Sequence, residues 1–296
     1  MYAVMGITGR VGGALASTLL ESGSRVRGIV RDASKAAAWK ERGAELAVAD
    51  YDDTAALSAA FSGVDGVFVM IPPNFAPAPG FPETERTLTA IYNALAKARA
   101  KKGVYLSSIG AEQKSGTGLI MQTHMLEAKL ADLPMQHVFL RAGWFMENFA
   151  GDVASARSEG KIYSHLQPLD RRVPMVATED IGKAGAEVLC QQDWEGTRHI
   201  EVAGPRDYSP LDVAEDFSEA VGRKVEAVVV PRDQWIKSFV AQGMPADRTG
   251  PRAEMVDGFN SGLIHFGIPD TENYVGATEL CTVLKSLVGQ GKATSA

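Results

Sequence analysis

Through the first two thirds of the chain, short apolar runs alternate with stretches whose apolar residues recur every three or four positions. The runs at residues 3–5, 26–30, 45–48, 66–71, 104–107 and 137–141 predict strands. Helical spacing falls between them, at residues 11–20, 54–60, 83–98 and 119–130. In the first of these, Val11, Leu15 and Leu19 share one face. Asp65-Gly66 and Lys102-Gly103 are turn signals just ahead of two strands. Such alternation predicts a parallel sheet with helices on both faces. After Phe149 the order is less regular. A helix starts at Thr178, with Thr178 and Ile181 bounding its N-cap region, and a strand follows at residues 199–202. Beyond Gly204-Pro205, helical patterns at residues 211–221 and 234–242 predict a smaller lobe. The expected organisation is a doubly wound α/β domain at residues 1–155, rejoined by residues 176–203. Residues 156–175 and 204–296 would form a smaller C-terminal α/β lobe that covers the cleft and shapes a substrate site.

The link between the first strand and the first helix carries the most chemistry. It reads Gly6-Ile7-Thr8-Gly9-Arg10-Val11-Gly12. Glycine triplets are weak evidence in a chain with 30 glycines, but this one sits between a strand and a helix. That is the Rossmann-type unit that binds a dinucleotide pyrophosphate. Gly6 would turn the chain sharply, Gly9 would admit the phosphates, and Gly12 would let the helix pack close. The helix N-terminus then offers free N–H groups to the anion. All three glycines are expected to resist substitution through a need for φ > 0.

The second strand ends at Arg31, with Lys35 a turn further on. NAD-specific sites usually place an acid there to accept from the ribose 2′-OH. A guanidinium suits the 2′-phosphate of NADP instead, which predicts NADPH over NADH. Asp32 is adjacent and acidic, and it is also placed to cap the segment starting at Ala33. Ligands of such sheets sit at the carboxyl ends of strands. Asp50 and Tyr51 follow the third strand and could bracket the adenine, while Asp53 suits a helix cap. Ile71-Pro72-Pro73 opens a Pro-rich loop through Pro82 and is expected beside the nucleotide.

Composition mainly excludes. The chain has 296 residues and a net charge of −6, so it lacks the basic footprint of a nucleic-acid binder. No apolar run reaches membrane-spanning length, and the N-terminus enters a strand directly, so a soluble cytoplasmic protein is expected. The two cysteines, Cys190 and Cys281, lack metal-ligand spacing and are expected to be buried small hydrophobes. No metal site is expected. A monomer and a homodimer are both compatible with the sequence.

Several segments together resemble the NmrA-like family, a branch of the atypical short-chain dehydrogenase/reductases. They are the glycine turn, Val30-Arg31-Asp32, Leu106-Ser107-Ser108-Ile109-Gly110, the run from Leu140-Arg141-Ala142-Gly143-Trp144 through Phe145-Met146-Glu147-Asn148-Phe149, and Glu201-Val202-Ala203-Gly204-Pro205. The likeness runs to about residue 270. It implies a Rossmann-type fold and a nicotinamide beside Gly143, Trp144 and Phe145, with Ser107 also at the cofactor. It further implies NADPH-dependent reduction of a planar acceptor such as a quinone, azo dye or triphenylmethane dye. A nucleotide-sensing regulator without turnover is the alternative. Two aromatics would give a planar ring an apolar wall, or would pack in the core. Glu147 and Asn148 are expected to tie down the following helix.

The Tyr-x-x-x-Lys pair of typical short-chain reductases is missing. Met125 stands four residues before Lys129. This argues against alcohol–carbonyl chemistry and fits acceptors that take hydride with little acid catalysis. His124 is the candidate catalytic residue in that neighbourhood, as a proton donor or ribose ligand, or else as a histidine bonded to backbone or Glu127.

Overall fold

The computed structural model describes residues 1–191 and 194–293. Thirteen strands are described: β1 (Tyr2–Met5), β2 (Val26–Val30), β3 (Glu45–Val48), β4 (Gly66–Val69), β5 (Lys102–Ser108), β6 (Gln136–Ala142), β7 (Trp144–Phe145), β8 (Lys161–Ser164), β9 (Val173–Val176), β10 (Thr197–Ala203), β11 (Asp207–Tyr208), β12 (Glu226–Val229) and β13 (Glu272–Val275). The helices are α1 (Arg10–Glu21), α2 (Ala37–Glu41), α3 (Thr54–Phe61), α4 (Pro82–Ala98), α5 (Met121–Leu130), α6 (Val153–Ser158), α7 (Thr178–Cys190), α8 (Pro210–Val221), α9 (Trp235–Ala241), α10 (Gly250–Ser261) and α11 (Leu280–Ala293). None is long and apolar enough to cross a membrane.

Eight strands form one sheet in the order β13-β10-β6-β5-β4-β1-β2-β3, and every pairing in it is parallel. The chain reverses its direction of growth between β1 and β4, which opens a crevice at their carboxyl ends. A parallel sheet covered on both faces needs strands that are apolar on both sides, and β4 is buried along its whole length. One face packs under α1 and α7, the other under α3, α4 and α5. α1 and α7 meet closely because Gly182 has no side chain, since a Cβ there would lie 2.5 Å from Ala14 Cβ.

The remaining elements pack round a separate core that includes Trp235, Phe239, Phe217 and Val256. α10 and the short strands β8, β9 and β12 carry no strong periodicity and were not anticipated. β13 falls within the stretch assigned to the lobe, yet it pairs with β10 in the main sheet. One expectation is corrected. Cys190 is exposed and Cys281 half-buried, so neither is a core hydrophobe.

A buried charge network ties β5, β6 and α5 together. Ser107 on β5 lies in register with Arg141 on β6, which lies in register with Glu201 on β10. Arg141 donates from Nε and Nη2 to Glu127 on α5 at 3.0 and 2.7 Å, and the Ser107 hydroxyl donates to the same carboxylate at 2.5 Å. His199 reaches it at 3.5 Å. Burial alone would raise the Glu127 pKa, but hydrogen bonds from His199, Arg141 and Ser107 hold it at about 2. Glu201 is satisfied separately, by the backbone N–H groups of Gly267 and Ile268.

Removing one member of such a pair strands the other in the interior. Arg141→Met should therefore cost about 3–5 kcal/mol in urea denaturation. The Glu127 carboxyl is depressed from its ordinary value of about 4.3. Its contribution is thus full above that value and lost as pH falls towards about 2. Stability measured from pH 5 to pH 2.5 should fall less steeply in Glu127→Gln than in the parent chain.

Candidate nucleotide-binding cleft

The glycine turn leaves β1 at the crevice. Gly6 has φ of +67°, and a Cβ there would lie 2.5 Å from Met70 Sδ. Its N–H donates to the Tyr51 hydroxyl at 2.9 Å, and its carbonyl accepts from Gly9 N–H at 2.8 Å. Gly9 itself is extended, with φ of −88°. Gly12 begins the helical packing, and a Cβ there would lie 2.3 Å from the Gly6 carbonyl oxygen and 2.8 Å from that of Met5. The three glycines are therefore needed for different reasons, and only Gly6 for positive φ. Val11 is buried beneath the turn, while Thr8, Gly9 and Arg10 face solvent. No side chain caps α1, and no acid stands in its first turn. Its N-terminal N–H groups are left for an anion.

Around the turn, the neighbouring strand ends contribute in different ways. Tyr51 supports the turn through Gly6, and burial raises its phenol pKa, so it acts as a neutral hydrogen-bonding group. Asp50 accepts from Asp52 N–H at 3.2 Å and so closes its own turn. Asp53 caps α3 through the N–H groups of Ala55 and Ala56. Asp32 accepts from the N–H and hydroxyl of Ser34 at 2.9 and 2.7 Å. That cap occupies the one acid beside Arg31. Arg31, Lys35 and Arg10 are exposed, and none joins an ion pair among the described residues.

β4 ends at Val69, earlier than anticipated, so Ile71 belongs to the loop. Ile71 packs against the core under α4, and Pro72 and Pro73 are exposed. The loop is held from two sides by residues that the sequence pattern did not single out. Gln122 on α5 donates to the Asn74 carbonyl at 2.9 Å and accepts from the Thr84 hydroxyl at 3.0 Å. Arg248, just ahead of α10, donates to the Ala76 carbonyl at 3.2 Å. Helical spacing places Gln122 on α5, but not against a loop some fifty residues upstream.

On the same helix, His124 Nδ1 lies 2.8 Å from the Ala111 carbonyl. A carbonyl only accepts, so this nitrogen carries a proton, and Nε2 is the ring nitrogen left for other contacts. Lys129 pairs with Glu85 at 2.5 Å, and Met125 packs into the core. Neither forms a catalytic pair. Ser107 is buried with its hydroxyl committed to Glu127.

After β6, Gly143 allows close backbone approach, but to protein: a Cβ there would lie 2.7 Å from the Pro174 carbonyl oxygen. Trp144 and Phe145 are successive residues of β7 and diverge. Trp144 packs against the lobe core, 5.3 Å from the Phe259 ring in an edge contact, and Phe145 packs against the core under α1. They do not form one wall. Glu147 caps α7 rather than the next helix, accepting from Thr178 N–H and hydroxyl at 2.9 and 2.5 Å. Thr178 is thus the capped residue, not the cap. No group of side chains among the described residues is suited to hold a metal ion.

Comparison with known proteins agrees with this architecture. The model of the NmrA-like family matches residues 2–261, and the chain belongs to that family. NAD(P)H azoreductase of Xenophilus azovorans is 28% identical over 83% of this chain and 82% of its own length. Quinone oxidoreductase 2 of Escherichia coli is 25% identical over 83% of each. In fold, the chain is similar to the triphenylmethane reductase of Citrobacter sp., with a TM-score of 0.79 at 22% identity over 97% of this chain and 99% of the other. It is also similar to the NADPH complex of the Escherichia coli quinone oxidoreductase QOR2, with a TM-score of 0.75 at 23% identity over 97% and 99%.

The glycines separate stability from binding. Gly12→Ala should be destabilised by about 1–3 kcal/mol or more in urea, because backbone carbonyls cannot swing aside. Gly9→Ala suits an extended backbone and meets only the Gly6 carbonyl oxygen, at 3.2 Å, so it should lose clearly less stability than Gly12→Ala while losing nucleotide affinity by calorimetry. Equal stability losses in both variants would contradict this division.

Proposed function

We propose that this chain is a reductase that uses NADPH in preference to NADH and acts on a quinone, azo compound or similar planar, electron-poor acceptor. The observation that carries the nucleotide preference is Arg31 at the end of β2, exposed and unpaired among the described residues, with its acidic neighbour Asp32 engaged in a cap. The class of acceptor rests on membership of the NmrA-like family and on azoreductase and quinone oxidoreductase relatives that cover most of the chain.

The residues present fit a dinucleotide. The uncapped N-terminus of α1, reached over Gly9, would hold the pyrophosphate, with Thr8 and Arg10 flanking it. Arg31 and Lys35 would hold the 2′-phosphate. Asp50 and Tyr51 would flank the adenosine, and Ile71, Pro72 and Pro73 would border the nucleotide on the β4 side. The backbone at Gly143, Trp144 and Phe145 would border the nicotinamide. When bound, NADPH supplies the hydride. The protein orients the nucleotide, and the lobe formed by residues 156–175 and 204–296, apart from β13, covers the acceptor and excludes water.

His124 would serve as a positioning or accepting group. Its Nδ1–H is held by the Ala111 carbonyl, which fixes the ring and leaves Nε2 as the nitrogen open to cofactor or acceptor. Quinones and azo compounds accept hydride with little acid catalysis. This agrees with the absence of the Tyr-x-x-x-Lys pair.

Arg31→Ala should weaken NADPH binding by about 10-fold to 150-fold, the range of a charge-assisted contact, and leave NADH nearly unchanged. Calorimetric titration of both nucleotides checks this, and equal losses would overturn the assignment. NADPH oxidation against a panel of quinones and azo dyes should show acceptor-dependent turnover. His124→Ala should lower it by at most about 100-fold, since acid catalysis contributes little here. Tight NADPH binding with no oxidation by any acceptor would favour a nucleotide sensor.

A further inference from the structure

Away from the nucleotide turn, a second cavity of about 280 Å³ opens between the entry to β9 and the chain that leaves α10. Its lining includes Arg171, Arg172, Pro174, Phe259, His265 and Phe266. A water molecule takes up about 30 Å³ of liquid, so this space is large enough for a small organic molecule. Two phenyl rings and a proline suit a flat apolar body.

The charges decide what that body must carry. Arg172 is already engaged, donating to the Asp207 carbonyl at 3.1 Å and to the Asp212 carboxylate at 3.2 Å. Arg171 donates from Nε to the Gln167 carbonyl at 3.2 Å and has no carboxylate partner among the described residues. The Asp207 side chain also lines the cavity and is the one acid there. Burial raises its pKa and Arg172 opposes, so its electrostatic partner is Arg172 rather than Arg171. His265 donates Nδ1–H to the Phe266 carbonyl at 2.9 Å. An organic cation would meet two guanidiniums, whereas an anion meets the unpaired fork of Arg171.

We infer that this cavity is a second small-molecule site, selective for a flat aromatic carboxylate whose ring lies between Phe259 and Phe266 and whose carboxylate pairs with Arg171. The site is separate from the nucleotide cleft but shares a wall with it. Phe259 contacts Trp144 edge-on at 5.3 Å, and the Pro174 carbonyl abuts Gly143. Occupancy therefore bears on the β6–β7 connection from its far side.

The test is calorimetric titration of the full chain, with NADPH present, using 2-naphthoate, the neutral isostere 2-naphthol, and inorganic sulfate. 2-Naphthoate should bind at least about 10-fold more tightly than either control, since it alone offers both ring and charge. Arg171→Ala and Arg171→Gln should each lose about 10-fold or more for 2-naphthoate and leave 2-naphthol and NADPH unchanged. Menadione, a quinone probe, should not displace 2-naphthoate. Failure of 2-naphthoate to bind, unchanged affinity in both Arg171 variants, sulfate binding as tightly as 2-naphthoate, or competitive displacement by menadione would each overturn the proposal. The readout is binding, so it stands apart from whether the chain turns over NADPH.

Discussion

The contact between Gly12 and the carbonyls of Met5 and Gly6 sets the geometry of this molecule. Main-chain oxygens lie where a Cβ at Gly12 would have to go, at 2.3 and 2.8 Å, so no side chain is compatible with that approach. The approach brings the first turn of α1 onto the end of β1 and leaves its N–H groups uncapped at the crevice. A second close contact, Gly182 against Ala14 and Leu15, then seats α7 beside α1 on the same face of the sheet. Glu147 fixes the start of α7 from the segment following β7. A line of backbone contacts thus runs from the first strand to the connection after the sixth, where it meets Gly143 and Pro174.

Most of the ionisable groups near the crevice are already spent on the fold. Asp32, Asp50 and Asp53 bond to local backbone, Glu127 is taken by Arg141 and Ser107, and Lys129 is taken by Glu85. Exposed basic residues are left at the end where a nucleotide phosphate would lie, and on α5 a histidine whose Nδ1 is held by the Ala111 carbonyl. Such a cleft is well suited to holding an anionic nucleotide. That follows from which side chains found partners during folding, because an acid buried with a partner is no longer available to chemistry.

The sequence was most legible where local physics decides the structure. β2 and β3 match their apolar runs residue for residue, and α1, α3, α4 and α5 differ from their patterns by only a residue or two at an end, whereas the short α2 had no pattern of its own. The glycine turn was legible for the same reason, although φ > 0 was the wrong reason for Gly9 and Gly12. What escaped was anything settled by distant partners. The strand β13 has only four residues, three of them exposed, and owes its place to pairing with β10. Gln122 and Arg248 look like ordinary polar residues until the loop they hold is brought to them. Arg141 carried a usable signal, a charge inside the apolar run that forms β6, but the partner that made it tolerable lies on α5.

Trp144 and Phe145 show how the two halves of the protein divide the work. Successive residues of an extended segment point to opposite sides. A two-residue strand crossing between lobes therefore sends one ring into each core, Trp144 with Phe259 and Phe145 under α1. Each ring reports on its own half, and the peptide between them is shared. Changes in the lobe core reach this connection through Trp144, whose indole nitrogen is buried and has no hydrogen-bond partner among the described residues. No polar contact pins that ring, so its position is set by packing alone, chiefly against Phe259. Packing is sensitive to whatever fills neighbouring space. In the wall between the nucleotide cleft and the Arg171 cavity, the backbone of Trp144 is thus held by its pairing with β9 while its ring is held by shape, so the ring is the part that occupancy on either side would move first.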